Sequence, residues 1–502
     1  MTLQYRALRG SMAGSAAVAV NLTLTVAQVP LLLYFWDSTT YGLWLTLLSL
    51  LSLLSVFDLG HNDYVGALFN RYYVENTDNL RRCLASALCM ALMLAAIELL
   101  VGSLAVLLIP VTFFLGQSAA PLAGELRSAA LVYLVYWALF GSVVGVFTRL
   151  YNPKGFYARA TNIAIVMRLS QFAALIGSAM LSPSLLHAMV FYCGAGGVVS
   201  IVVLFDVRHK FSDLLPRWSD VSVPTGLKNF SMSLWLTVCN FIDQASSNGL
   251  TVLVARLLGA DAVPVLATLR TVASVVTQGA SVMVTPLAPE FARYYHRREP
   301  LKLTAALGTA WAIGGTIANL AILFLILIAP TLYAWWTHGH IAFDPVLFRY
   351  LCLAVCVRCS VSGSLLFLSS INQLQSQLTI SAARGFTAVL VFCTTFSWLG
   401  VPSAGLALLL SEVVACLGVM TWCTRSEIQK LGGDFPWLTL TLNIVSLGVV
   451  AAVFWLTKPG FVMVGAGLVA ILFLGWQQFK HLQAAVQDRL LSLAREFVSR
   501  RV

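Results

Sequence analysis

Apolar runs of about 20 residues recur along this whole chain, each long enough to cross the ~30 Å hydrocarbon core of a bilayer as a helix. That feature restricts the fold more than any motif does. Lipid offers no hydrogen-bond partners to backbone N–H and C=O groups, so a chain made of such runs must satisfy them within helices. The predicted fold class is an all-α polytopic membrane protein. Composition agrees: 59% of the 502 residues are hydrophobic and 10% are charged, against roughly 25% charged in soluble domains. No stretch between the runs has the length of a soluble catalytic domain.

Fourteen spans are expected between residues 11 and 479, among them 41–66, 228–257 and 346–371. With the N-terminus placed in the cytoplasm, 23 of the 31 Lys and Arg residues fall in inner segments, and the outer loops hold only Lys458. This is the positive-inside asymmetry. It accounts for the +11 formal charge without nucleic acid and puts both termini in the cytoplasm. The first apolar run is too long for a cleavable signal and is expected to stay as the first helix. The ten cysteines lie almost entirely in apolar runs and read as small buried residues, not as a disulfide framework. Cys356 and Cys359 have CxxC spacing, but they stand in mid-membrane sequence without a second pair, which argues against a metal or redox site.

The chain also repeats. Residues 41–73 open on Tyr41 and Trp44, pass Asp58-Leu59-Gly60 and close on Arg71-Tyr72-Tyr73. Arg293-Tyr294-Tyr295 follows another apolar run 222 residues later. The same offset sets Asn21 opposite Asp243 and Ser11 opposite Ser233. A duplicated bundle explains this. The expected plan is a six-helix lobe at 1–206, a cytoplasmic connection at 207–227 and a second, pseudo-symmetric six-helix lobe at 228–424. A helix pair at 425–480 and a basic amphipathic tail at 481–502 follow. The tail suits an interfacial helix on an anionic leaflet.

A charge inside a span costs at least about 2.5 kcal/mol near the centre, so it reads as functional or paired. At about 1.5 Å per residue, Arg168 and Arg358 fall near the midplane, Arg384 in an inner third and Arg270 in an outer third. The acids are Glu98, Asp243 and Glu412, with Asp58 towards the inner end of its span. One reading is a water-filled cavity, where arginine forks hold an anionic lipid head and carboxylates carry a proton or sodium ion. The other is structural pairing, for instance of Arg358 or Arg384 with Glu412. The cavity is preferred for the arginines as a set. Asn240 and Gln244 make the helix around Asp243 too polar to face lipid, and with Asn21 they are expected to line the centre. Pro30, Pro286 and Pro289 permit bends. There is no P-loop and no HExxH, and His187, His338 and His340 show no ligand pattern. No catalytic residue, metal site or cofactor is expected.

Tyr41-Gly42-Leu43-Trp44, Asp58-Leu59-Gly60, Arg71-Tyr72-Tyr73 and the stretch 257–299 resemble the polysaccharide transporters. These are the O-antigen-type flippases of the multidrug/oligosaccharidyl-lipid/polysaccharide (MOP) superfamily. The resemblance covers the whole chain as architecture. It implies a flippase that moves undecaprenyl-pyrophosphate-linked oligosaccharide or polysaccharide repeat units. Transport would run from the cytoplasmic to the periplasmic leaflet of a bacterial inner membrane, by alternating access around a cationic cavity. Coupling to H+ or Na+ is implied, as are partners among membrane lipids, polysaccharide polymerases and chain-length proteins. The residues assigned to these roles follow from depth and chemistry: Arg168, Arg270, Arg358, Arg384, Asn240, Gln244 and Asn21 for the cavity, and Asp243, Glu98, Glu412 and Asp58 for coupling. An alternative is a multidrug or cation antiporter of the same superfamily. It would favour acidic and aromatic walls, whereas arginines outnumber carboxylates in the inner halves and centre of the spans. A glycosyl-transferring enzyme is disfavoured, because the longest outer loop, of about 17 residues, lacks a paired-carboxylate site.

Overall fold

The computed structural model describes residues 3–371, 373–455 and 461–480. Among the described residues there are helices and no strands, as a lipid solvent requires. The Lys458 loop and the tail at 481–502 lie outside the described residues. By contact, the chain forms two units, one of residues 1–267 with 336–341, the other of 268–335 with the residues from 342 on.

The first unit begins with α1 (Leu3–Phe35), α2 (Ser38–Leu54), α3 (Val56–Glu75) and α4 (Thr77–Leu108). It continues through α5 (Val111–Leu115), α6 (Ala123–Tyr136), α7 (Ser142–Thr148), α8 (Tyr157–Leu181) and α9 (Leu185–Lys210). After a connection come α10 (Val223–Gln244) and α11 (Leu250–Leu258). The unit boundary falls within α12 (Ala262–Val284). The second unit holds α13 (Ala288–His296), α14 (Pro300–Trp336), α15 (Pro345–Ser360), α16 (Ser362–Ser370) and α17 (Leu374–Leu399). It closes with α18 (Pro402–Glu412), α19 (Thr421–Lys430), α20 (Trp437–Trp455) and α21 (Phe461–Lys480). Each unit has its own core, around Phe69, Leu84, Tyr151 and Phe211 in the first and Trp311, Phe367, Ile380 and Phe435 in the second.

Eleven helices among the described residues are long and apolar enough to span, or twelve if the bent pair α15–α16 is one span. The chain is a multi-pass membrane protein. The other two expected spans are helical but interrupted. Residues 41–66 break at Ser55 into α2 and α3, and α3 carries buried Asp58, His61 and Asn62. Residues 228–257 run through α10, a π turn at Ala245–Gly249 and α11. α2 is apolar but short, α10 exposes Met232, Trp235, Val238 and Phe241 on one side, and α10 lies along α3. They approach closely at Gly60, where an added Cβ would stand 2.6 Å from the Thr237 Cα. Only glycine fits there, so the Gly of Asp58-Leu59-Gly60 is a packing residue.

Helix boundaries follow the repeat. The first residues of α1 and α10, of α4 and α14, and of α6 and α15 are 220, 223 and 222 positions apart. Thr39 donates its hydroxyl to Asp261, and Gly42 backs onto Ala260 and Pro264. Two pairs of repeat-equivalent positions therefore meet face to face.

In the second unit, α15 and α16 meet at a 48° bend without a proline. The bend frees the Ser360 carbonyl from its helix. Asn443 of α20 captures it, donating from Nδ2 at 3.0 Å, and donates also to the Trp311 carbonyl at 3.0 Å. Its Oδ1 accepts from Gln478 Nε2 at 2.9 Å. Asn443→Leu strands the Ser360 carbonyl and the Gln478 amide and is expected to lower stability by about 2 kcal/mol, read as thermal unfolding of the purified protein in detergent.

Candidate functional site

Most of the expected site charges fall into two groups, one in each unit, with Asp243 apart from both. In the first unit, Asp58 on α3 is 1% exposed. Its Oδ2 accepts from Trp137 Nε1 at 2.7 Å and from the Ser142 hydroxyl. Trp137 and Ser142 are five residues apart. In an α-helix that spacing puts side chains ~140° apart, at ~100° per residue. Here a π turn covers Trp137–Gly141, and the Ser142 N–H donates to the Trp137 carbonyl. This i→i+5 bond closes a wider turn and lets both donors reach one oxygen. Glu98 of α4 lies against Asp58 and Trp137. Tyr133 stacks on Trp137 at 6.2 Å between centroids and stands next to Glu98 and Tyr192. Arg168, exposed on α8, lies beside Tyr192. The structure thus gathers Asp58 and Glu98 directly, with Arg168 one aromatic ring further on.

In the second unit, Glu412 at the end of α18 is 6% exposed. Arg384 of α17 donates from Nη2 to Oε2 at 3.3 Å, and its Nε lies 3.1 Å from Oε1 as an ion-pair contact. Arg358 of α15 reaches the same Oε1 at 3.5 Å, with its side chain 46% exposed. Cys416, one turn beyond Glu412, donates its S–H to Oε2 at 3.0 Å. Arg270 of α12, half-buried, lies within electrostatic reach of Arg358 and Glu412. Three of the expected cavity arginines and one expected coupling carboxylate therefore converge. Arg384 is the structural partner of Glu412. Arg358 is the loosely held member, with a face left for another contact.

Gln244 accepts from Asn248 Nδ2 at 2.7 Å, and Asn248 donates also to Ser52. Asn240 is half-buried on α10, Asn21 is exposed on α1, and Asp243 is exposed on α10. Among the described residues, no hydrogen bond or ion pair joins Asn21, Asn240 or Gln244 to either charged group. No three His, Cys, Asp or Glu side chains gather as a metal site among the described residues. All ten cysteines are free thiols. Each of the π turns abuts an acid: Trp137–Gly141 touches Asp58, Ala245–Gly249 follows Asp243 closely, and Val413–Met420 begins after Glu412. Sequence reasoning missed Trp137, Ser142 and Cys416. Only Cys416, four residues from Glu412, carried a legible helical signal.

No protein-family model and no curated protein matches the sequence. Solved structures do match. The lipid II flippase MurJ in an inward closed conformation aligns with a TM-score of 0.70 at 12% identity, over 94% of this chain and 99% of that one. An inward-facing multidrug resistance MATE transporter of the MOP superfamily aligns with a TM-score of 0.66 at 15% identity, over 83% and 95%. The fold is that of the MOP superfamily transporters. A MOP transporter from Pyrococcus furiosus, described as having a binding pocket of reverse polarity, aligns at 0.52 with 17% identity, over 86% and 96%. On this MOP fold the polar centre of the second unit is arginine-rich, and that of the first is acidic and aromatic.

Proposed function

We propose that the protein is a flippase for undecaprenyl-pyrophosphate-linked oligosaccharide or polysaccharide repeat units. It carries them from the cytoplasmic to the periplasmic leaflet of a bacterial inner membrane, with both termini cytoplasmic and six-helix lobes at 1–206 and 228–424 that alternate in access. The observation that carries this reading is the half-exposed Arg358, within electrostatic reach of Arg270 and next to a carboxylate that Arg384 already engages. Like charges held together at membrane depth suit a visiting polyanion, and a guanidinium fork fits pyrophosphate oxygens. Asp243, Glu98, Glu412 and Asp58 remain the coupling candidates for H+ or Na+.

The test is a deletion strain. Undecaprenyl-pyrophosphate-linked oligosaccharide should accumulate on the inner leaflet, and wild type should reverse this. Arg358→Ala is expected to lower flipping about 10- to 100-fold, the equivalent of losing one charged hydrogen-bond pair, and Arg358→Lys to restore only part. If the intermediate does not accumulate in the deletion strain, the reading is wrong. A second reading, a multidrug or cation antiporter, is favoured by the Asp58, Glu98, Tyr133 and Trp137 set of the first unit, whose chemistry suits a cation. Increased drug sensitivity of the deletion strain, without lipid accumulation, would select it.

A further inference from the structure

A groove of about 540 Å³ runs along α4 in the first unit. Ala85, Leu88, Cys89, Leu92, Met93 and Ala96 line it as one stripe at helical spacing, with Phe147 of α7. Leu92 and Met93 are 51% and 45% exposed, and α4 is long and apolar enough to span, so the groove opens towards lipid. From Ala85 to Ala96 the helix rises ~16 Å at ~1.5 Å per residue. That is about the depth of one leaflet in a ~30 Å hydrocarbon core. None of the residues assigned above to the cavity or to coupling lines the groove.

One end of the groove is different. Pro216, Arg217 and Val221, from the connection between α9 and α10, close it, and Arg217 is the one charged residue among those lining it. The connection is held in place. Phe211 and Leu214 are buried, Arg81 donates from Nη2 to the Asp213 carbonyl at 3.0 Å, and the Ser222 N–H donates to the Ser86 hydroxyl at 3.1 Å. Arg82 precedes Ala85 and Cys89 by three and seven residues, so it extends the α4 stripe by one turn towards this end. The basic residues here divide into two kinds. Arg71, Arg149, Lys154 and Arg159 are paired with Glu75, Asp63, Asp213 and Asp206. Arg82 and Arg217 are exposed, and neither guanidinium has a carboxylate partner among the described residues. We propose that the groove is a binding site for an anionic phospholipid of the cytoplasmic leaflet, its acyl chain lying along α4 and its phosphate held at Arg217 with Arg82. The head supplies the counter-charge that the chain does not, and basic recesses between spans at the cytoplasmic surface suit such heads. The choice of leaflet rests on the orientation proposed above; the binding does not depend on which cargo is carried.

The test uses the full-length protein in phosphatidylcholine nanodiscs containing a little phosphatidylglycerol with a diazirine in its acyl chain. After illumination, cross-linked peptides are mapped by mass spectrometry. Labelling is expected to concentrate between Ala85 and Ala96 and at Phe147, above the level at Phe386 and Leu390, which are exposed on α17. Joint Arg82→Ala and Arg217→Ala should lower it at least about tenfold, and both positions are exposed, so the fold should survive. Ala96→Trp, which fills the groove from an exposed position, should lower it with the arginines intact. The same diazirine carried on phosphatidylcholine should show no concentration there. Equal labelling by the two lipids, or undiminished labelling in the double variant, overturns the site. Labelling that undecaprenyl phosphate displaces and excess unlabelled phosphatidylglycerol does not would make the groove a path for cargo and overturns it as well. Lipid accumulation in the deletion strain is read separately, so either result can fail alone.

Discussion

Glu412→Ala is expected to destabilise the second unit by about 3–5 kcal/mol, the usual effect of removing one partner from a buried ion pair. Arg384 and Glu412 are 13% and 8% exposed along their side chains and meet as an ion pair at 3.1 Å. Without the carboxylate, Arg384 loses the counter-charge that holds it inside α17. Glu412→Gln keeps the shape and one acceptor and should fall between. Joint replacement of Arg384 and Glu412 by Met should recover most of the loss, since a well-packed apolar pair replaces a buried ionic one at little expense. Thermal unfolding in detergent reads all three. Arg358→Ala is the counterpart: with its side chain 46% exposed at 3.5 Å, it should unfold within about 1 kcal/mol of wild type while flipping fails. A Glu412→Ala protein as stable as wild type would mean that the ion pair is not structural.

Gly60→Ala should part α3 from α10. The added methyl would sit 2.6 Å from the Cα and N of Thr237, backbone atoms that no rotamer change moves. Overpacking of this kind costs about 1–3 kcal/mol, and larger residues should do worse. Hydrogen exchange of α10 amides is expected to speed up at least about tenfold, as about 1.4 kcal/mol of lost protection implies, with α14 and α17 unchanged. Gly14→Ala is the control, because nothing lies within 4 Å of a Cβ there. Unaltered exchange in α10 would mean that the contact yields without opening.

The spans were legible because lipid imposes one solution on any long apolar run. The repeat was legible from Arg71-Tyr72-Tyr73 and Arg293-Tyr294-Tyr295, and helix boundaries follow it. The break at Ser55 was not, since neither proline nor glycine marks it. Nor could the sequence say that α3 and α10 lie along one another, with Gly60 against Thr237 and His61 against Phe230. At the sites, a lone intramembrane charge announces itself by its expense, so Asp58, Glu98, Arg358, Arg384 and Glu412 could all be singled out. Their partners could not be fixed that way. Asp58 finds Glu98 only because α3 and α4 pack together, and Trp137 and Ser142 sit at a spacing that is wrong for an α-helix and right for a π turn.

A π turn closes on i→i+5 where an α turn closes on i→i+4, so it stores one surplus residue within an otherwise regular helix. Letting that surplus pass along the helix swivels each side chain it passes by ~100° and shifts it ~1.5 Å along the axis, while the residues on either side stay put. The helices that hold Trp137, Asn248 and Cys416 each contain such a joint, and each joint sits against an acid. Each such joint is a place where a helix can re-register its side chains beside an acid without breaking its backbone ladder.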